Sequence, residues 1–209
     1  MKLKIFFILI SFLVLYGCQE KTNNKTDFTS TDKSLSELIF TYNTTGDIKY
    51  LEQGYVILQN DKEFNKSGLT QDNYLNVIQV LFNLKRYSEL ESLLSSFDQM
   101  NHFERITLLN TIKGLNVDKY DPFETVNFFY QNIDLINDTI KKSPNDSLLY
   151  VNYFVNRMFI VGKQKTLKEI DSMKNNQNKY SDIFYEQILK KAIKRYPNDK
   201  MPSHLVEEY

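Results

Sequence analysis

Residues 34–58 read SLSELIFTYNTTGDIKYLEQGYVIL, and this stretch announces a helical chain. Leu35, Leu38, Ile39 and Tyr42 recur at the spacing that gathers side chains on one face of an α-helix. Ser34, with Glu37 three residues later, forms a capping box at the predicted start. Gly46 stands where a helix ends on a left-handed residue, and Asp47 suits the cap of a second helix. Ile48, Leu51, Tyr55 and Leu58 give that second helix its own apolar stripe. Two short amphipathic helices joined by so tight a turn pack antiparallel.

The same pattern continues downstream. Thr70 can cap a helix carrying Tyr74, Val77, Ile78 and Leu81, and Lys85-Arg86 leads into one carrying Tyr87, Leu90, Leu94 and Phe97. A helix over 101–113 points Ile106, Leu109 and Ile112 inward, with Gly114 as its stop. Asp121-Pro122-Phe123-Glu124 is a start signal of cap, proline in the first turn and acid at the third position. The long helix it opens presents Phe123, Val126, Tyr130, Ile133 and Ile140 on one side. Ser143-Pro144-Asn145-Asp146 breaks the chain before a helix through Tyr150, Phe154 and Met158 to Gly162. Leu167 and Ile170 mark a shorter helix, followed by the polar loop 175–178. The last helix, about 181–196, presents Phe184, Ile188, Ala192 and Tyr196 and ends at Pro197. No stretch alternates with period two for long enough to make a sheet, so the expected class is all-α.

These pairs resemble tetratricopeptide repeats, helix–turn–helix units of about 34 residues. Leu38, Tyr42, Gly46, Asp47, Leu51, Tyr55 and Leu58 match the family's signature spacing in the first pair. Val77, Leu81, Tyr87, Leu90, Leu94 and Phe97 match it in the second, with Lys85 in place of the turn glycine. Phe154, Met158, Gly162 and Leu167 repeat it more loosely. The endings Pro144-Asn145-Asp146 and Pro197-Asn198-Asp199 resemble the family's repeat closure. Leu38 and Val77 lie 39 positions apart, so the implied architecture is a stack of antiparallel helix pairs with irregular repeats, an α-solenoid over 34–200 with a tail at 201–209. In that family the first helix of each pair lines a groove for a peptide or a partner helix. The resemblance therefore implies Phe40, Asn43 and Thr44, then Gln79, Phe82 and Asn83, then Asn156, Phe159 and Ile160 as groove residues. Asparagine amides pair with a peptide backbone as donor and acceptor, and phenylalanines supply apolar anchors. Packing between repeats is the competing role for Phe40, Phe82 and Phe159.

Upstream, Lys2 and Lys4 precede an apolar run from Ile5 to Tyr16, and the chain turns polar at Gln19-Glu20-Lys21. The run has the basic and apolar regions of a signal peptide and falls short of the roughly 20 residues a spanning helix needs. Leu15-Tyr16-Gly17-Cys18 resembles the lipobox of bacterial lipoproteins. That resemblance implies removal of residues 1–17 and lipidation of Cys18, with 18–33 as a flexible tether to the domain. Multiple acyl chains, at roughly 0.8 kcal/mol per buried CH₂, would hold the protein on the membrane. Cys18 is the one cysteine of the chain, which excludes an intrachain disulfide. Gln19 lacks the aspartate that retains enteric lipoproteins in the inner membrane, so the expected place in a Gram-negative envelope is the outer membrane.

Composition narrows the function. The 209 residues carry 26 basic and 26 acidic side chains, and loss of Lys2 and Lys4 leaves a small acidic excess. Nothing there neutralises phosphates, so nucleic acid is not an expected partner. The two histidines, His102 and His204, cannot make a zinc site without further ligands. Ser30-Thr31-Asp32-Lys33 spells S-x-x-K, but the partner motifs of serine acyl-enzymes are missing. All six glycines are isolated, which excludes a glycine-rich phosphate loop. No cofactor and no catalytic activity are expected. Asp138-Thr139-Ile140, Asp146-Ser147-Leu148 and Asp171-Ser172-Met173 resemble a D-[S/T]-aliphatic signal for O-glycosylation of envelope proteins, and helix caps or ordinary helix surface explain the same letters. The favoured reading is a membrane-anchored scaffold that binds another envelope protein or peptide segment. The alternative is an immunity lipoprotein that occludes a periplasm-directed toxin.

Overall fold

A computed structural model describes residues 30–118, 120–177, 180–195, 201–203 and 205. The signal peptide, Cys18, residues 19–29, Tyr196 to Asp199 and His204 lie outside the described residues. The described residues are all-helical, with no strand among them. They fall into two compact units, the first ending at Arg105 and the second beginning at Ile106.

The first unit holds α1 (Ser30–Thr45), α2 (Lys49–Asn60), α3 (Lys62–Ser67), α4 (Tyr74–Asn83) and α5 (Tyr87–Ser96). Helix α1 is already wound at Ser30, so Ser34 and Glu37 sit inside it and do not start it. Ser30, Thr31 and Asp32 are themselves residues that favour a helix N-terminus. Gly46, at φ 73°, ends the helix as its spacing predicts, its N–H donating to Tyr42 O at 2.7 Å. Asp47 Oδ1 accepts from Lys49 N at 3.1 Å and opens α2. Leu35, Ile39, Leu51 and Leu58 are buried between the helices, whereas Ile48 falls in the turn and is exposed. Gly54 is buried facing α1, and a Cβ there would meet Leu35 Cδ2 at 3.4 Å and Val80 Cγ2 at 3.5 Å, an ordinary packing contact. Helix α4 packs on both α1 and α2.

Short helix α3 carries no apolar period and is invisible to a pattern reading; Asp61 Oδ1 accepts from Phe64 N at 3.1 Å near its start. Thr70 and Asn73 make a reciprocal box, Asn73 N donating to Thr70 Oγ1 at 3.3 Å and Thr70 N to Asn73 Oδ1 at 2.8 Å. Between α4 and α5, Lys85 adopts φ 57°, the left-handed geometry expected of the glycine it replaces. Arg86 N donates to Leu81 O at 2.9 Å, closing the turn.

Helix α6 (His102–Val117) begins in the first unit and ends in the second. It runs straight through Gly114, which is therefore not its stop. A Cβ on Gly114 would lie 3.3 Å from Phe128 Cβ and 3.3 Å from Phe129 Cε2, so the glycine serves close packing of α6 on α7 (Pro122–Lys142). The buried face of α6 includes Thr107, Leu108, Asn110, Thr111 and Ile112, while Ile106 and Leu109 are half-buried. The predicted apolar face was displaced because polar residues share the interior.

Asp121 caps α7 as predicted, Oδ1 accepting from Phe123 N and Glu124 N at 3.0 Å each. Its buried stripe is Thr125, Phe129, Asn132, Ile133 and Ile136, and Phe123, predicted inward, is 86% exposed. Asn132 Nδ2 donates to Thr107 O at 3.0 Å, Thr111 Oγ1 at 3.0 Å and Asn156 Oδ1 at 2.9 Å, all buried. Three helices are thus joined through one amide, which an apolar-period count cannot anticipate.

Ser143 terminates α7, and α8 (Ser147–Gln177) starts with Asp146 Oδ1 accepting from Leu148 N at 3.0 Å. Gly162, at φ 81° and ψ 166°, breaks α8 into two segments where the sequence places its end. Phe184–Leu189 is π-helical and leads into α9 (Lys190–Arg195). A π turn takes one extra residue per bond and rotates the face that follows. The buried set becomes Phe184, Tyr185, Leu189, Ala192 and Ile193, and Ile188, predicted inward, is only half-buried. The core of this unit gathers Phe129, Phe154, Met158, Phe159, Ile170 and Tyr185, with the Phe129 and Phe159 rings 4.6 Å apart.

Candidate binding grooves

Of the groove residues implied by the repeat resemblance, Phe40 is 50% exposed and Asn43 and Gln79 are half-buried. Thr44 is exposed and donates to Phe40 O at 3.1 Å and Thr41 O at 2.9 Å. Phe82 is buried with its ring edge-on to Tyr87 at 5.7 Å, and Asn83 donates to Gln79 O at 2.8 Å. Helix α4 buries nearly every side of its second half, as a helix apolar all round must. Asn156 and Phe159 are buried too, Asn156 Nδ2 donating to Asn152 O at 2.9 Å, and Ile160 is half-buried. Burial thus assigns Phe82, Asn83, Asn156 and Phe159 to the interior and leaves Phe40, Asn43 and Gln79 accessible. The nine positions are divided between the two units.

The surface of the first unit has a groove of about 840 Å³ along the α1–α2 hairpin. From α1 come Ser34, Glu37, Leu38 and Thr41, and from α2 Lys49, Glu52, Gln53, Val56 and Ile57. Val56 is 54% exposed. Phe40 and Ile48 are exposed as well, outside the lining of this groove.

The second unit has its own groove, of about 460 Å³. The end of α7 supplies Asn137 and Ile140, and the first segment of α8 supplies Tyr150, Tyr153 and Phe154. The return segment of α8, beyond Gly162, supplies Glu169, Ser172, Met173 and Asn176. Arg157 grips Glu169 with two nitrogens, Nη2 to Oε1 at 2.8 Å and Nε to Oε2 at 3.0 Å. That carboxylate raises the pKa of the guanidinium and keeps it charged. Tyr150 meets the Tyr180 ring edge-on at 5.4 Å, and Tyr180 Oη donates to Pro144 O at 3.2 Å. Burial, with Tyr150 beside it, pushes the Tyr180 phenol up to about 12. Of these residues spacing alone singles out Ile140, Tyr150 and Phe154, and the fold-back at Gly162 brings Glu169, Ser172, Met173 and Asn176 to them.

Other charged groups are absorbed structurally. Glu104 is buried, and desolvation raises its carboxyl to about 7. Burial likewise lowers the Lys163 ammonium. His102 begins α6 and is exposed. In the three D-[S/T]-aliphatic triplets, Asp138 pairs with Lys141 at 2.8 Å, Asp146 caps α8 and Asp171 pairs with Lys190 at 2.6 Å. Among the described residues no three His, Cys, Asp or Glu side chains are grouped to hold a metal ion, and no helix is long and apolar enough to cross a membrane. No protein-family profile, curated protein or solved structure matches this chain.

Proposed function

We propose that the chain is a lipid-anchored scaffold of the bacterial cell envelope that docks another envelope protein, with the α1–α2 groove as its contact surface. The observation that carries the docking role is the apolar lining of that groove, where Leu38 and Ile57 are half-buried and Val56 is 54% exposed. An apolar strip in a concave surface rimmed by polar side chains suits a partner's amphipathic helix. A tetratricopeptide-like stack is supported by left-handed residues at the three predicted hairpin turns, Gly46, Lys85 and Gly162, and by α4 packing on both helices of the preceding pair. The anchor rests on the lipobox resemblance at Cys18, with the outer membrane as its place in a Gram-negative cell.

The test is recovery of the tagged protein from detergent-solubilised membranes, followed by mass spectrometry of what co-purifies. Wild type is run beside a Phe40→Ala, Val56→Ala variant whose fold is checked by circular dichroism, and beside Cys18→Ser. Resident envelope subunits that disappear in the double variant support the scaffold. A single toxin-like partner, captured only after exposure to a competitor strain, supports the immunity role instead. Retention of Cys18→Ser in membranes without acyl label would refute the anchor.

A further inference from the structure

The groove of the second unit is independent of the docking surface, and its chemistry differs. Its walls are helical, so their backbone N–H and C=O groups are spent inside the helices and only side chains face a ligand. Half-buried Tyr150 and Tyr153 supply aromatic surface backed by buried Phe154, while Asn137, Ser172 and Asn176 supply donors and acceptors in the same lining. Its carboxylate, Glu169, is neutralised by the two-point Arg157 pair, so no uncompensated charge lines the space. We propose that this groove binds a short neutral oligosaccharide.

The match is one of shape and polarity. A pyranose ring offers a flat C–H face and a rim of hydroxyls. The C–H face packs on aromatic rings, whose π faces carry partial negative charge. The hydroxyls act as donor and acceptor together, which suits amides. Asn137 makes no hydrogen bond to the described residues and keeps its amide available, whereas Asn176 Nδ2 donates to Ser172 Oγ at 3.2 Å and joins both to the rim. The volume of about 460 Å³ lies within the ordinary range for small-ligand sites. A peptide would find no strand edge to pair with here, and an acidic or basic ligand would find no free counter-charge.

Two features make the wall rigid before any ligand arrives. Tyr180 buttresses Tyr150 and is tied to Pro144 O, and the Arg157–Glu169 pair clamps the two segments of α8 together. A site so preorganised loses little entropy on binding.

Calorimetric titration of the full chain with cellotetraose, maltotetraose and N,N′,N″,N‴-tetraacetylchitotetraose tests the proposal, with tetragalacturonate and tetra-alanine as charged and peptide probes. The expected result is saturable binding of at least one neutral tetrasaccharide. That binding falls about tenfold in Asn137→Ala, the loss of roughly one good hydrogen bond, and is untouched in Phe123→Ala, which lies outside the groove. Circular dichroism confirms that both variants fold. No saturable binding of any neutral tetrasaccharide would overturn the proposal. So would preference for the charged or peptide probe, or binding that ignores Asn137→Ala. None of these outcomes bears on the α1–α2 surface, which the Phe40→Ala, Val56→Ala variant tests separately.

Discussion

Replacing Glu104 by Gln should abolish a pH dependence of stability that the burial of this carboxyl creates. In the fold the group titrates at about 7, against an ordinary 4.5, because desolvation penalises its charged form. Below about pH 4.5 it is neutral in both folded and unfolded chains and contributes nothing to the pH dependence. Between the two values the folded protein binds more proton than the unfolded one, so stability falls as pH rises. Above about 7 the penalty is complete, and the shift corresponds to an upper limit of roughly 3 kcal/mol. Glutamine copies the neutral carboxyl in size and shape without its titration. The variant should match wild type near pH 4.5 and exceed it at pH 8, with a melting temperature higher by about 5–10 °C. Thermal melts followed by circular dichroism at pH 4.5, 6, 7 and 8 read the difference curve, in which all other titrating groups cancel. A constant offset between the two proteins across that range, or a variant less stable at pH 8, would refute the reasoning.

Other positions give sharp expectations. Gly114→Ala gains about 1 kcal/mol of helix propensity but drives a methyl group into Phe128 and Phe129, an overpacking cost of about 1–3 kcal/mol, so urea midpoints should fall. Lys85→Gly removes left-handed strain of about 1–2 kcal/mol against a glycine entropy cost of about 0.5–1, and should raise the melting temperature slightly; a decrease would show that the lysine side chain matters more than its backbone. Asn132→Ala removes the amide donor of buried Thr111 Oγ1 and Asn156 Oδ1, while Thr107 O keeps Thr111 Oγ1 at 2.8 Å, and should destabilise by about 2 kcal/mol or more in denaturant titration, with Asn156→Ala showing strong coupling to it in a double-mutant cycle.

Local signals in the chain are mostly readable where a residue acts on its own neighbours, the exception being the Ser34–Glu37 box, which lies inside α1 and does not start it. Gly46, Asp47, Asp121, Ser143 and Gly162 each punctuate a helix through bonds within a few residues, as type and position suggest, and Lys85 does so by position alone, against its type. Strongly apolar stripes such as Leu90 and Leu94 of α5 were equally plain, since burial simply follows their period. The remaining failures share a cause. Gly114 reads as a stop but is a contact, because the reason for a small residue there is Phe129 on another helix. Phe123 and Tyr130 read as core but are exposed, because Thr125 and Asn132 take the interior positions by hydrogen-bonding across helices. Ile188 slipped off its face because a π turn inserts a residue that no period reports. The groove of the second unit is hidden for the same reason: Arg157 meets Glu169, and Asn176 joins Asn137 in one lining, only after the chain reverses at Gly162. Helix beginnings, ends and class follow from short-range chemistry written along the chain. Which face is inside, and which polar groups meet, depends on partners distant in sequence, and tertiary packing alone selects them.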